Sequence, residues 1–537
     1  MRVLAFPLAI AALAGLQAQE PTWTDPPRLV VGIVVDQMRT DLLYRYWDNL
    51  GDGGFRRLVR EGSFQRDAHY NYVPTQTAPG HASIYTGTTP ARHGIVANHP
   101  YNRDRRRTVY IGLDTAVSPV GTFSTKALRS PVNLLATTLA DELELRTAGR
   151  AHTVGVALKD RSAMLPMGRM GDQAYWFAGD DQGKFITSSW YADALPPWLQ
   201  AFNKKGLPAE YLQGTWDLAL PRNLYHLPLP DNNPYEESWG DSLPPVLPMD
   251  LAILGKDGQD LDMIKYTPWG NTLTTDVAIA ALLGNDMGKD EIPDLLSVSY
   301  GSTDELAHNM GPRALELEDM YIRLDRELAR LLLQLDERVG AGAYTVFLTA
   351  DHGGGDVPAY LKHLKGSAGY TALGALQAEL VQRGYGTWVD TVKNDQVYLR
   401  PNAPPGTAQA IARALNEMPQ VAYAASADQL LENPASTGLA GFMAKGFMRQ
   451  RCGDVVIALR PGFFRSHGRW DGKGADHATA WNYDTHVPVI FFGHGVAKGE
   501  VLRRTSITDI APTVAAILGM ALPNAADGQV VPEVVRH

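Results

Sequence analysis

Six side chains suited to holding a divalent metal stand at the borders of short apolar runs. Asp36 follows one such run in Val34-Val35-Asp36-Gln37-Met38-Arg39. Asp304 and His308 follow a second, in Ser302-Thr303-Asp304-Glu305-Leu306-Ala307-His308, where the i, i+4 spacing puts carboxylate and imidazole on one side of a helical turn. Asp351 and His352 follow a third, in Thr349-Ala350-Asp351-His352-Gly353-Gly354-Gly355, and His486 opens a fourth, in Asp484-Thr485-His486-Val487-Pro488. Three Asp and three His exceed what one tetrahedral zinc needs and suit two metals that share a hydroxyl or phosphate oxygen. Such a pair stabilises the entering and the departing oxygen of an in-line displacement, which calls for a nucleophile. With no cysteine near these motifs the choice narrows to Ser, Thr or water. Thr77, in Thr75-Gln76-Thr77-Ala78-Pro79-Gly80-His81, is the candidate: a hydroxyl before a proline is the pattern of a helix N-cap, where backbone N–H groups and the helix dipole also attract an anion.

The elements that must position these residues are read from the apolar runs. Arg28 to Val35, His152 to Leu158, Asp294 to Tyr300, Tyr344 to Thr349 and His486 to Phe492 read as buried, mostly parallel strands. Helical patterns lie between them, the clearest over residues 313–339, where Leu317, Met320, Leu324, Leu328, Leu331 and Leu335 recur every three to four residues. The alternation predicts an α/β fold, a doubly wound and mostly parallel sheet with helices on both faces. Ligands of such sheets sit beyond the carboxyl ends of the strands, where Asp36, Asp304 and Asp351 would meet. His486 begins its run, so it reaches that edge only if its strand is antiparallel or the preceding loop folds back. Two insertions are expected. A Pro-rich one spans about residues 190–265, with 10 prolines among the 53 residues from Pro196 to Pro248. A small α+β one spans about residues 359–464, in which Gly386 to Arg400 reads as a strand.

Taken together, Asp36, Thr77 in its Thr-Ala-Pro-Gly-His context, Asn98, Lys159-Asp160-Arg161-Ser162-Ala163, Asp304, His308, Asp351-His352-Gly353 and His486 resemble the alkaline phosphatase superfamily. Within it they are similar to the PafA-type phosphate monoesterases, which use a threonine nucleophile. The resemblance runs from about Leu29 to Leu518. It implies one zinc on Asp304, His308 and His486, and a second on Asp36, Asp351, His352 and the Thr77 alkoxide, hence two Zn²⁺ per chain. It also implies that Asn98, Lys159 and Arg161 bind the non-bridging phosphoryl oxygens. A cation pair two residues apart suits a monoester dianion, which offers three such oxygens. No third metal site is found beyond these seven ligands, and His81, Asp476 and His477 are read as surface or supporting residues. A nucleotide pyrophosphatase/phosphodiesterase of the same superfamily is the alternative, disfavoured by Lys159 and Arg161. A sulfatase is disfavoured because Thr77 stands where Cys or Ser would be needed. From another class, a non-catalytic exported metal-binding module would need the ligands but not Thr77.

Composition agrees. The 537 residues carry 49 basic and 58 acidic side chains, a formal charge of −9, with no basic block longer than Arg105-Arg106-Arg107, so duplex nucleic acid is not an expected partner. The single cysteine, Cys452, excludes an internal disulfide and a four-cysteine zinc site. Residues 1–18 read as a signal peptide: Arg2, an apolar run from Leu4 to Leu16, then Ala18. The expected mature chain, residues 19–537, is one catalytic domain without a transmembrane anchor, periplasmic or secreted, acting on small phosphate monoesters.

Overall fold

The computed structural model describes residues 26–180, 183–226, 228–239, 244–253, 261–432, 437–466 and 472–536, so the expected signal peptide lies outside the described residues. The strands of the main sheet, in chain order, are Leu29–Val35 (β1), Ser63–Gln65 (β2), Pro119–Val120 (β3), Thr153–Ala157 (β4), Gln173–Ala178 (β5), Lys184–Ser188 (β6), Asp294–Tyr300 (β7) and Tyr344–Thr349 (β8). A separate sheet holds Val389–Lys393 (β9), Gln396–Leu399 (β10), Val421–Ser426 (β11) and Val455–Leu459 (β12); Val489–Gly493 (β13) and Gly499–Val501 (β14) then return to the main sheet.

The main sheet runs β14-β2-β13-β8-β1-β7-β4-β5-β6-β3. Its middle, β8-β1-β7-β4-β5, is parallel throughout, and antiparallel pairs join β13 to β8 and β6 to β5. Every residue of β1, β7 and β8 is buried, so both faces of the sheet are covered, as the unbroken apolar runs require. Five helices matter for the site: Thr77–Thr86 (α1), Asp160–Met167 (α2), Pro268–Gly284 (α3), Ser302–Met310 (α4) and Leu315–Leu335 (α5). The α5 stripe of Leu317, Leu324, Leu328, Leu331, Leu332 and Leu335 is fully buried. Each such leucine contributes about 1.5–3 kcal/mol of apolar burial.

The separate sheet is antiparallel, in the order β9-β10-β12-β11, and encloses its own apolar core of Leu380, Val397, Ile411, Leu415 and Ile457. The stretch from Gly386 to Arg400, expected as one strand, is a hairpin. Asn394 and Asp395 both take left-handed backbone (φ 52° and 56°), as the tight turn between β9 and β10 demands. The Pro-rich stretch is tied to α5 through one buried carboxylate. Asp319 accepts from Trp216 Nε1 at 2.8 Å, Tyr225 OH at 2.6 Å and the Ala219 N–H at 2.6 Å. Proline cannot donate to a ladder, so the polar tips of aromatics and a few free N–H groups hold this stretch instead.

Candidate active site

Four loops leave the carboxyl ends of adjacent parallel strands and deliver Asp36 (after β1), Lys159 (after β4), Asp304 (after β7, on α4) and Asp351 with His352 (after β8) to one place. The strands are in register, Val34 beside Ser299 and Thr349, so their ends coincide without further adjustment. Thr77 enters from α1. The helix starts at Thr77 itself, with Gln76 as the residue before it, so Thr77 is the first helical residue and not the cap expected from the sequence. Gly80 explains the closeness of α1 to the Asp351 loop. A Cβ at that glycine would lie 2.2 Å from the Asp351 carbonyl oxygen, so any larger residue would push the hydroxyl away from the carboxylates.

His352 Nε2 lies 3.4 Å from Asp36 Oδ1 and 3.6 Å from Asp351 Oδ2. These three atoms are buried and meet no hydrogen-bond partner, although the other nitrogen of His352 is held by the Gly353 carbonyl at 2.8 Å. Buried donors that face one another without partners carry a large desolvation penalty unless a cation fills the gap. Their nitrogen and oxygen chemistry fits a zinc-like ion. Burial, reinforced by Asp36, pushes the Asp351 carboxyl well above its usual range, and burial lowers His352.

A second group adjoins the first. His308 Nε2 is 3.2 Å and His477 Nε2 3.8 Å from Asp304 Oδ1. Their other nitrogens are fixed by the carbonyls of Ala475 at 3.1 Å and Thr75 at 2.7 Å, which leaves both Nε2 atoms aimed at the carboxylate. Burial opposes charge on Asp304, yet Lys159 and His308 hold its carboxyl well below the normal range. Burial likewise opposes charge on His308, and Asp304 raises it to about 9 all the same. Gln37 ties the groups together: its side-chain amide donates to Asp304 Oδ1 at 2.8 Å and its backbone N–H to Asp351 Oδ1 at 3.2 Å. Gln37 was not singled out from the sequence, where it is only the residue after Asp36.

The expected ligand His486 is not in this group. Its Nε2 contacts the Arg66 carbonyl at 2.9 Å and its ring stacks on His69, beside Asp67. The strand it was expected to open begins later, at Val489, and is antiparallel, so His486 does lie towards the carboxyl edge. It ends a short helix over Asn482–Thr485, however, and its side chain turns to the side opposite the buried Val487. The preceding loop folds back and puts His477 in its place. A signal existed: Asp476-His477 repeats the Asp-His pair of Asp351-His352.

Arg161 and Asn98 flank the start of α1 at Thr77, and Lys159 lies among the carboxylates. Arg161 Nη2 is 3.4 Å from Thr77 Oγ1, and its Nε is buried without a partner. Asn98 accepts from the Ala78 N–H at 2.8 Å through its carbonyl oxygen, which leaves its NH₂ to donate elsewhere. Lys159 donates to Asp36 Oδ2 at 2.7 Å and also to Asp304, so its ammonium lies between the two candidate metal-holding groups, drawn in by their carboxylates. A cleft of about 300 Å³ opens over this cluster. Asn98, His308, His477, Tyr266 and Arg465 line it, with Tyr370 and Asn394 from the α+β insertion.

Comparison with known proteins agrees with this geometry. Residues 30–486 match the type I phosphodiesterase / nucleotide pyrophosphatase family. The chain is 38% identical to alkaline phosphatase PafA of Elizabethkingia meningoseptica, over 98% of each chain. It is 34% identical to alkaline phosphatase PhoV of Synechococcus elongatus, over the full length of both. The crystal structure of wild type alkaline phosphatase PafA superposes with a TM-score of 0.90 over 95% of this chain and 99% of that one. Among the described residues no helix is long and apolar enough to cross a membrane. The chain therefore belongs to the type I phosphodiesterase and nucleotide pyrophosphatase family, within the alkaline phosphatase superfamily, and it is an enzyme with alkaline phosphatases among its relatives at 34–38% identity.

Proposed function

We propose that the protein is an exported phosphate monoesterase that passes the phosphoryl group first to Thr77 and then to water, at a site that binds two zinc ions. One observation carries this reading: buried, unpartnered donor atoms of Asp36, Asp351 and His352 lie next to the Asp304, His308 and His477 group, at the N-terminal end of the helix that presents Thr77. Asp304, His308 and His477 would hold one ion; Asp36, Asp351, His352 and Thr77 would hold the other. Bound there, the ions would supply Lewis-acid polarisation and lower the pKa of a coordinated hydroxyl.

The chain's own groups do the rest. Thr77 Oγ1 attacks phosphorus as the ester oxygen departs; in the second displacement water attacks and Oγ1 leaves, restoring the threonine. A phosphoryl group on Thr77 comes within reach of Arg161 and of the Asn98 amide, which bind its non-bridging oxygens while charge spreads over them in the transition state. Lys159, once its carboxylates are neutralised by cations, is free to turn to the remaining oxygen. A dianionic monoester uses these contacts better than a diester, in which one oxygen is esterified. Residues 19–537 act as one catalytic unit, and its two insertions shape the leaving-group side of the cleft. Export rests on the leader sequence, which places the enzyme in the periplasm or outside the cell.

The test uses zinc-loaded protein and compares p-nitrophenyl phosphate with methyl p-nitrophenyl phosphate. Monoester turnover should dominate, metal analysis should give two zinc ions per chain, and acid quenching followed by peptide mass analysis should place phosphate on Thr77. Faster diester turnover would move the reading to a phosphodiesterase. Phosphate absent from Thr77 in quenched, turning-over enzyme would remove the covalent step.

A further inference from the structure

The Pro-rich region holds a second set of buried carboxylates, which plays no part in the chemistry above. Glu316, in the first turn of α5, is 0% exposed and Glu236 is 2% exposed; Asp231 is their nearby acidic neighbour on the Pro-rich segment. Both carboxylate oxygens of Glu316, Oε2 of Glu236 and Oδ1 of Asp231 are buried and meet no hydrogen-bond partner. Their local support is thin. Asn233 donates to Glu236 Oε1 at 2.5 Å, the Leu247 N–H donates to the Asp231 carboxylate, and Arg222 lies 3.9 Å from Asp231 Oδ2. The start of a helix favours one acidic side chain, but it does not compensate several buried carboxylates whose oxygens lack donors. Grouped like charges in a dry site require a cation or protons.

We infer that Asp231, Glu236 and Glu316 form a calcium-type cation site that fastens the Pro-rich segment to α4 and α5. Every donor is a carboxylate oxygen, and neither His nor Cys is among them, a set that suits Ca²⁺ and not zinc. Among the described residues these three are not one of the groups whose donor atoms all lie within 4.8 Å of each other, so binding draws them inward. A cavity lined by Asn232, Asn233, Ser238 and Lys473 reaches Glu236 and gives the ion and its remaining waters access from that side. The segment also bonds to the catalytic side. Glu237 N–H donates to the Asn309 carbonyl at 3.0 Å, and the Tyr235 carbonyl accepts from Gly474 N–H at 2.9 Å, next to the Ala475 that pairs with His308. The ion therefore steadies the part of the site that carries His308 and His477.

The test uses the full mature chain in calcium-free buffer with a fixed excess of zinc. Calcium per chain after desalting, the melting temperature as CaCl₂ is added, and Tb³⁺ luminescence excited through tryptophan are measured. One calcium per chain, a rise in Tm of roughly 5 °C or more at saturation, and Tb³⁺ emission displaced by Ca²⁺ are expected. Glu236→Gln and Glu316→Gln keep the side-chain shape and remove charge, so they should fold without the ion. Each should bind calcium at least about tenfold more weakly, with zinc content unchanged. Absence of bound calcium, with a wild-type Tm indifferent to CaCl₂, would overturn the site and leave the carboxylates protonated. A magnesium response equal to that of calcium would overturn it as well, since general screening by divalent ions would explain both.

Discussion

The residues on the two sides of the candidate metal-binding cluster are positioned in different ways. Asp36, Lys159, Asp304, Asp351 and His352 leave the ends of parallel strands whose register is set by backbone ladders, so the sheet places them all at once. His477 comes instead from an irregular segment between the four-stranded insertion and β13. Two contacts distant in sequence hold it, its Nδ1 on the Thr75 carbonyl and Gly355 N–H on the Asp476 carbonyl at 3.1 Å, together with a local one from Thr479 N–H to Asp484 at 2.6 Å. The sheet edge is a rigid frame built from local pattern. The His477 loop is a separate piece fitted against it, and damage to its anchors should reach one ligand without disturbing the others.

The largest effect should come from the edge. Thr77→Ala removes the proposed nucleophile and should lower kcat by roughly 10⁴ or more, whereas Thr77→Ser keeps a measurable part of the rate, because positions acting in one covalent step cost that much when deleted. Turnover of p-nitrophenyl phosphate by both variants checks this, and an alanine variant of wild-type activity would mean that water attacks directly. Next is the cation pair. Lys159→Ala with Arg161→Ala should cut monoester kcat/KM by roughly 10³, two charge-assisted contacts of about 2 kcal/mol each, with a much smaller loss for the diester. Equal losses on the two substrates would show general electrostatics in place of monoester recognition.

The loop is tested by its two histidines. His477→Ala should lower activity and zinc affinity by about 10² or more, while His486→Ala stays within about threefold of wild type. Zinc content by mass spectrometry separates them, and a reversed order would break the contrast between frame and loop. The smallest effect concerns the support behind α1. His93 Nδ1 accepts from the Ile95 N–H at 3.1 Å and its Nε2 lies 2.9 Å from Ser83 Oγ on α1, so the buried ring is neutral. Burial, with Arg451 nearby, pulls its pKa down to about 3. The unfolded chain takes up this proton near pH 6.5 and the folded chain does not. The stability His93 contributes is thus whole above about 6.5 and falls with pH from there towards 3, by about 1.4 kcal/mol per pH unit once well below 6.5. Denaturant unfolding of wild type and His93→Gln between pH 6 and 4 should show a slope shallower by about one proton in the variant.

The limits of the sequence follow from the same contrast. The residues placed by strand direction were legible because apolar runs mark the strands, and polarity at their carboxyl ends marks the edge. His486 was misread because its motif, Asp-Thr-His-Val-Pro at the head of an apolar run, looks like those edges. Its side-chain direction depends on a four-residue helix and on a neighbour more than 400 residues away in the chain, Arg66. Gln37 went unnoticed because nothing in its type or spacing shows that its side-chain amide and its backbone N–H will reach two carboxylates from different loops. The hairpin turn at Asn394-Asp395 was likewise hidden inside a stretch that reads as one strand.

The amino-acid sequence alone determined the parallel α/β core, the nucleophile candidate and the acidic and histidine residues that follow its strands. Each of these depends on periodicity and local backbone chemistry, which act over a few residues. Only the tertiary structure decided which histidine joins Asp304 and His308, that Lys159 lies among the carboxylates, and that Glu236, Glu316 and Asp231 are brought together. These are outcomes of loop packing, set by hydrogen bonds and buried charge between segments far apart in the chain, for which the order of residues has no repeating signal.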